Sequence, residues 1–139
     1  MTKNKKPTVK TSKTPVVVAD DDSEILTMLA QHLRAKGMDV VECSDGEQAL
    51  AAVEKYRPEL VVLDVMMPGM SGWEVCKRIR ENKKLSDTRV LVLTAIGERL
   101  NEMTSPLYGA DDYLDKPFEF TDLDKKISFV LKGNRAAKR

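Results

Sequence analysis

The 139-residue chain contains a single histidine, His32, and only two cysteines, Cys43 and Cys76. So few nitrogen and sulfur ligands exclude a zinc centre built on a histidine–cysteine cluster. The cysteines are distant in sequence and form no Cys-x-x-Cys pair, so they are expected as reduced, buried or inert thiols. His32 falls on the first helix predicted below, and a structural or surface role is expected for it. No apolar run approaches the roughly 20 residues that a membrane span requires. The N-terminus has five lysines before Pro15 and no apolar segment, unlike a secretory signal. Met1-Thr2 lacks the glycine that myristoylation needs. A cytoplasmic protein with no membrane span is the expectation.

At this length one domain is expected. Apolar residues make up 42% and charged residues 32%, ordinary values for a globular protein. The net charge of +1 conceals a segregation. Residues 1–14 carry five lysines and no acid, and residues 132–139 carry four basic residues and no acid. The stretch between them is left with 14 basic and 22 acidic side chains, a net charge near −8. A folded body of that sign is not expected to bind nucleic acid. The expected organisation is a basic flexible tail over 1–14, a folded domain over 15–131 and a second basic flexible tail over 132–139.

Strand and helix signals alternate five times. Strands are predicted at 15–19, 38–42, 60–64, 89–93 and 111–115. The first helix, 23–36, places Ile25, Leu26, Leu29 and Leu33 at helical spacing and stops at Gly37. Ser44-Asp45-Gly46-Glu47 reads as a capping box opening a helix that carries Ala49, Leu50 and Val53 and ends at Arg57-Pro58. Ser71-Gly72-Trp73-Glu74 reads as a second box, opening a helix to about Arg80. A fourth helix falls within 97–108 and a fifth over 120–131. Pro106 sits late in the fourth, where an interior proline costs about 3 kcal/mol, so that helix is expected to be short, kinked or broken. Repeated βα units imply parallel strands, right-handed crossovers and helices on both faces of the sheet.

The strand ends carry the chemistry. Pro15–Ala19 runs into Asp20-Asp21-Asp22; Leu60–Leu63 stops on Asp64; Val90–Leu93 stops on Thr94; Tyr113-Leu114-Asp115 delivers Lys116. In a parallel sheet these C-terminal ends share one rim, where open α/β folds bind ligands. Three carboxylates there repel, each pair by about 4 kcal/mol at 4 Å and an effective dielectric near 20. An oxygen-only ligand set suits a hard divalent cation, magnesium above all, with manganese as the alternative. An ionised aspartate can act as nucleophile and form an acyl phosphate, while an ammonium and a hydroxyl contact the phosphoryl oxygens. Taken singly, each residue has a plainer explanation as a cap, a β-former or a surface lysine. Four of them on successive strand ends do not.

Val18-Ala19-Asp20-Asp21-Asp22, Leu63-Asp64-Val65-Met66-Met67-Pro68-Gly69, Leu93-Thr94-Ala95 and Gly109-Ala110-Asp111-Asp112-Tyr113-Leu114-Asp115-Lys116-Pro117-Phe118 together resemble the receiver domain of bacterial two-component response regulators, of the stand-alone chemotaxis-regulator type. The resemblance spans about residues 15–131. It implies a doubly wound α/β fold, flavodoxin-like, with a five-stranded parallel sheet in the order 2-1-3-4-5. It implies that Asp64 accepts a phosphoryl group from a histidine kinase or histidine phosphotransfer protein. It assigns the metal to Asp20, Asp21, Asp64 and the backbone carbonyl of Met66, the switch to Thr94 and Tyr113, and the phosphoryl contact to Lys116. Asp22 is left as a loop or capping residue. The departure is Pro106, on what the family uses as its output face. The expected protein is a signalling switch and not an enzyme in its own right, a monomer or weak dimer whose output is contact with a downstream protein. Two other readings stand beside it: a non-phosphorylated pseudo-receiver, and an aspartate-nucleophile phosphatase, which needs a second aspartate where this chain has Met66.

Overall fold

In the computed structural model, residues 15–95 and 108–132 are described. Both basic tails apart from Lys132, and the segment holding most of the expected fourth helix with Pro106, lie outside them. Five strands are present: β1 (Pro15–Ala19), β2 (Asp39–Cys43), β3 (Leu60–Asp64), β4 (Arg89–Thr94) and β5 (Asp112–Asp115). All pair in parallel, in the order β2-β1-β3-β4-β5. Four described helices accompany them: α1 (Ser23–Ala35), α2 (Gly46–Tyr56), α3 (Gly72–Glu81) and α4 (Phe120–Lys132). The last corresponds to the fifth helix of the sequence pattern.

Alternation along the strands builds two cores. Val17, Ala19, Val61, Leu63, Val90 and Val92 face one side, where Ala49, Val53, Val75 and Ile79 of α2 and α3 cover them. Val16, Val18, Leu60, Val62, Leu91 and Leu93 face the other, under Leu29 and Leu33 of α1 and Leu123 and Ile127 of α4. Because both faces are covered, the central strands read as unbroken apolar runs.

The helix starts follow the sequence, with one shift. Asp22 caps α1, its carboxylate accepting from the Glu24 and Ile25 amides at 3.0 and 3.3 Å. Ser71 caps α3 by accepting from the Glu74 amide at 3.2 Å. The Glu74 carboxylate binds Arg78 at 3.0 Å instead of completing a reciprocal box. At α2 the box sits one residue later than predicted. Asp45 is the cap and accepts from the Gln48 amide at 2.8 Å, while the Gln48 side chain accepts from the Ser44 amide at 3.2 Å. Ser44 and Asp45 are both good cap residues and each has a Glu or Gln three residues on, so the overlapping motifs compete and local spacing cannot rank them. Arg57 ends α2 in the left-handed region, φ 47°.

Candidate functional site

The C-terminal strand ends meet at one rim. Asp20, the first residue after β1, is fully buried, and Asp64, the last residue of β3, is 3% exposed. Asp21 is exposed. One carboxylate oxygen from each of Asp20, Asp21 and Asp64 falls within a set spanning no more than 4.8 Å. Lys116 reaches in from the end of β5. Its Nζ lies 2.9 Å from Asp20 Oδ2 and 3.0 Å from Asp64 Oδ1. Its backbone amide donates to the Thr94 carbonyl at 2.8 Å, which ties it to the end of β4. Thr94 is buried and stands one residue past Leu93, the register partner of Asp64.

Each of the two buried acids has a separate local restraint. Asp20 Oδ1 accepts from the Asp22 amide at 2.9 Å, an Asx turn that aims the other oxygen at Lys116. The Val65 amide donates to the Leu93 carbonyl at 2.9 Å, so sheet pairing continues just past Asp64. Gly72 opens α3 against the Asp64 backbone, and a Cβ there would overlap the Asp64 carbonyl oxygen. A Cβ at Gly46 would likewise overlap the Met70 carbonyl. These two glycines let α2 and α3 close on the loop after Asp64. Sequence reasoning missed them; the available signal was a glycine in the first turn of each helix, where other residues are equally good.

Burial and the Lys116 cation act on Asp64 in opposite directions. Burial pushes the Asp64 carboxyl up to about 6; the Lys116 hydrogen bond opposes the shift, and the nearby Asp20 and Asp21 charges add to it. Burial works against the Lys116 ammonium, yet hydrogen bonds to Asp20 and Asp64 outweigh it and raise its pKa above the ordinary lysine value. The site therefore holds an excess of negative charge with one internal cation.

That excess, on oxygen donors alone, fits a hard divalent ion and not zinc. Of the other candidates, Met66 projects an exposed side chain from the loop after β3. Tyr113 lies on β5, with Lys126 Nζ 5.3 Å from its ring centroid, and is not part of the acidic cluster. His32 is far from it in role: it stacks on Phe120 at 4.2 Å and pairs with Asp124 at 2.8 Å, joining α1 to α4. Cys43 and Cys76 are buried and form no disulfide; burial, with help from Asp45, pushes the Cys43 thiol up to about 11. A cavity of about 340 Å³, lined by Ile25, Met28, Leu29, Pro117, Phe118 and Phe120, opens beside Lys116. The sequence did not announce it, because its walls come from α1 and from the chain after β5.

Comparison with known proteins agrees with this geometry. PhoP of Bacillus subtilis, the alkaline phosphatase synthesis transcriptional regulatory protein, is 38% identical over 122 residues, covering 88% of this chain and 50% of PhoP. The chain spans about half the length of the curated relatives it matches. A putative response regulator from Chloroflexus aurantiacus has a structure of TM-score 0.82 at 33% identity, covering 88% of this chain and 100% of that one. The Vibrio cholerae chemotaxis protein CheY4 gives a TM-score of 0.80 at 31% identity, covering 86% and 99%. The response regulator receiver domain model matches residues 16–128. A sheet of this strand order and a sequence match along nearly its whole length lead to one conclusion: the chain belongs to the response regulator receiver domains of two-component systems.

Proposed function

We propose that Asp64 is the phosphoacceptor of a magnesium-dependent signalling switch. The observation that carries this reading is the Lys116 ammonium, held at 2.9 and 3.0 Å from Asp20 and Asp64 beside a cluster of three carboxylates. Asp20, Asp21, Asp64 and the Met66 carbonyl would hold the ion, with manganese as a substitute. When bound, the cation offsets the negative charge of the carboxylates and of an incoming phosphoryl group.

The donor is a phosphohistidine on a kinase or phosphotransfer protein. An Asp64 carboxylate oxygen attacks phosphorus in line; the P–N bond breaks as the P–O bond forms, and the imidazole nitrogen keeps the electron pair and takes a proton. Lys116 leaves its carboxylate partners to contact a phosphoryl oxygen. Thr94 donates its hydroxyl to another. Hydrolysis by water returns the free carboxylate. The donor protein approaches over the exposed side of Asp21, where the apolar cavity beside Lys116 offers contact area.

Phosphorylation favours one of two conformations through Thr94 and Tyr113, and a downstream protein reads the result. A shift from 1:99 to 99:1 needs about 5.5 kcal/mol of differential stabilisation. Charge-assisted hydrogen bonds to one phosphoryl group supply a large part of that. The folded body makes no nucleic-acid contact of its own, in a cytoplasmic monomer or weak dimer. The protein's chemistry is limited to its own phosphorylation and dephosphorylation.

Radiolabelled acetyl phosphate tests the reading. Acid-stable, base-labile label should appear on the wild type with magnesium, vanish with EDTA and be absent from Asp64→Asn. Undiminished label on Asp64→Asn would remove Asp64 from the role.

A further inference from the structure

β5 is the weakest part of the frame that holds the site. It has four residues and, among the described strands, pairs only with β4. It also carries Lys116 at its end. A one-residue slip of an edge strand turns every side chain to the opposite face, and short strands define their register poorly. Such a slip would take the Lys116 ammonium away from Asp64.

The start of β5 is fastened from an unexpected direction. Arg80, in the last turn of α3, is 14% exposed, and the Asp111 side chain is 1% exposed. Arg80 Nε donates to the Gly109 carbonyl at 2.7 Å. Arg80 Nη2 donates to the Thr88 carbonyl at 2.7 Å and to Asp111 Oδ2 at 3.0 Å. The same Asp111 oxygen accepts from the Val90 amide at 2.8 Å, while the Asp111 amide donates to the Val90 carbonyl at 2.9 Å. One planar guanidinium thus joins the residue before β4 to two residues before β5, a geometry suited to arginine's fixed fork of donors. Earlier turns of α3 add to the grip. Trp73 stacks on Tyr108 at 5.4 Å, and Cys76 Sγ donates to the Tyr108 carbonyl at 3.1 Å. Gly109 has φ +84°, and a Cβ there would overlap the Arg80 side chain.

We infer that Arg80 and Asp111 are positioning residues that lock the register of β5 and so set Lys116 opposite Asp64. The inference rests on the reading of Lys116 as a phosphoryl contact. It adds that α3 serves the site at both ends: its first turn packs on the Asp64 backbone, and its last turn fixes the strand that brings the lysine.

A double-mutant cycle tests it. Arg80→Gln should slow magnesium-dependent labelling by acetyl phosphate by about tenfold. In a Lys116→Ala background the same substitution should change the residual rate by less than about twofold, because the group it positions is gone. An equal loss in both backgrounds would mean that Arg80 supports the fold only, and would overturn the proposal. Arg80→Lys, with a point charge in place of the fork, should fall between wild type and Arg80→Gln. Amide exchange supplies an independent reading. The Lys116 amide, bonded to the Thr94 carbonyl, should exchange faster in Arg80→Gln, while the Asp20 amide, bonded to Cys43 across β1 and β2, keeps its wild-type rate. Unchanged protection at Lys116 would also overturn the proposal. If Arg80→Gln does not fold, Asp111→Asn carries the same measurements. If the wild type takes no label, the phosphoacceptor reading fails, and the exchange rates still decide the register lock.

Discussion

Within the same strands, interior and final positions solve opposite problems. From Val16 to Ala19, Leu60 to Leu63 and Val90 to Leu93 the side chains are apolar, buried, and stabilised by removal from water. One or two residues on, the chain buries Asp20, Asp64 and Thr94 as completely. There burial opposes stability, because a carboxylate loses its hydration and gains in return a shared lysine and, at Asp20, one backbone amide. The contrast teaches why the rim suits a ligand. The interior is near its energetic minimum, while the rim is held by the interior in a charge distribution that a bound cation would relieve.

The largest effect should come from breaking the interior. Leu91→Ala removes a fully buried side chain of β4 and should cost about 3 kcal/mol in urea unfolding, whatever the magnesium concentration. Next comes removal of the rim's own cation. Lys116→Ala leaves Asp20 and Asp64 without it and should cost about 2 kcal/mol without metal. Unlike the Leu91 loss, this one should shrink as magnesium is added, since the ion replaces the missing charge. A magnesium-independent loss at Lys116 would erase the distinction between the two regions.

Asp64→Asn should do the reverse and raise metal-free stability at pH 7 by about 1–2 kcal/mol. The sign follows from a native pKa near 6 against 3.8 for the ordinary carboxyl. Between those values the native state holds a proton that the unfolded chain has released, so wild-type stability falls as pH rises. The gap between Asp64→Asn and wild type should therefore open from about pH 4 to pH 6 and stay level above. A gap that closes with rising pH would show Asp64 to be stabilising. Protons and magnesium also compete for Asp64, so magnesium-induced stabilisation should weaken below about pH 6.

The smallest effect is expected at Cys43, whose thiol is pushed up to about 11 by burial. A thiol reagent at pH 8 should leave it unmodified in the native protein and react on unfolding. Rapid reaction in the native state would place this strand end outside the packed interior.

Much of this was legible in sequence because it depends on neighbours along the chain. Two-sided burial writes unbroken apolar runs, so the strands were visible to within a residue at each end, as was Ser71 as a helix cap, while Asp22 was left as a loop or capping residue. The cap of α2 was misplaced by one residue because two capping motifs overlap there, one starting at Ser44 and one at Asp45. Gly46 and Gly72 gave no clear signal, since what excludes a side chain there is a carbonyl from another element. Arg80 was visible only as the approximate end of the third helix; its partners lie 8 to 31 residues away.

Residue order alone determined which groups stand at strand ends and, for the described helices, their extent to within a residue or two, because hydrogen bonding and hydrophobic periodicity act over a few residues. The tertiary structure decided that Lys116 lies between Asp20 and Asp64, that their charges are held in a buried cluster, and that an arginine at the far end of α3 anchors the strand delivering the lysine. Those contacts join residues 8 to 96 apart in the chain, and they exist only once the sheet has set its strand ends side by side.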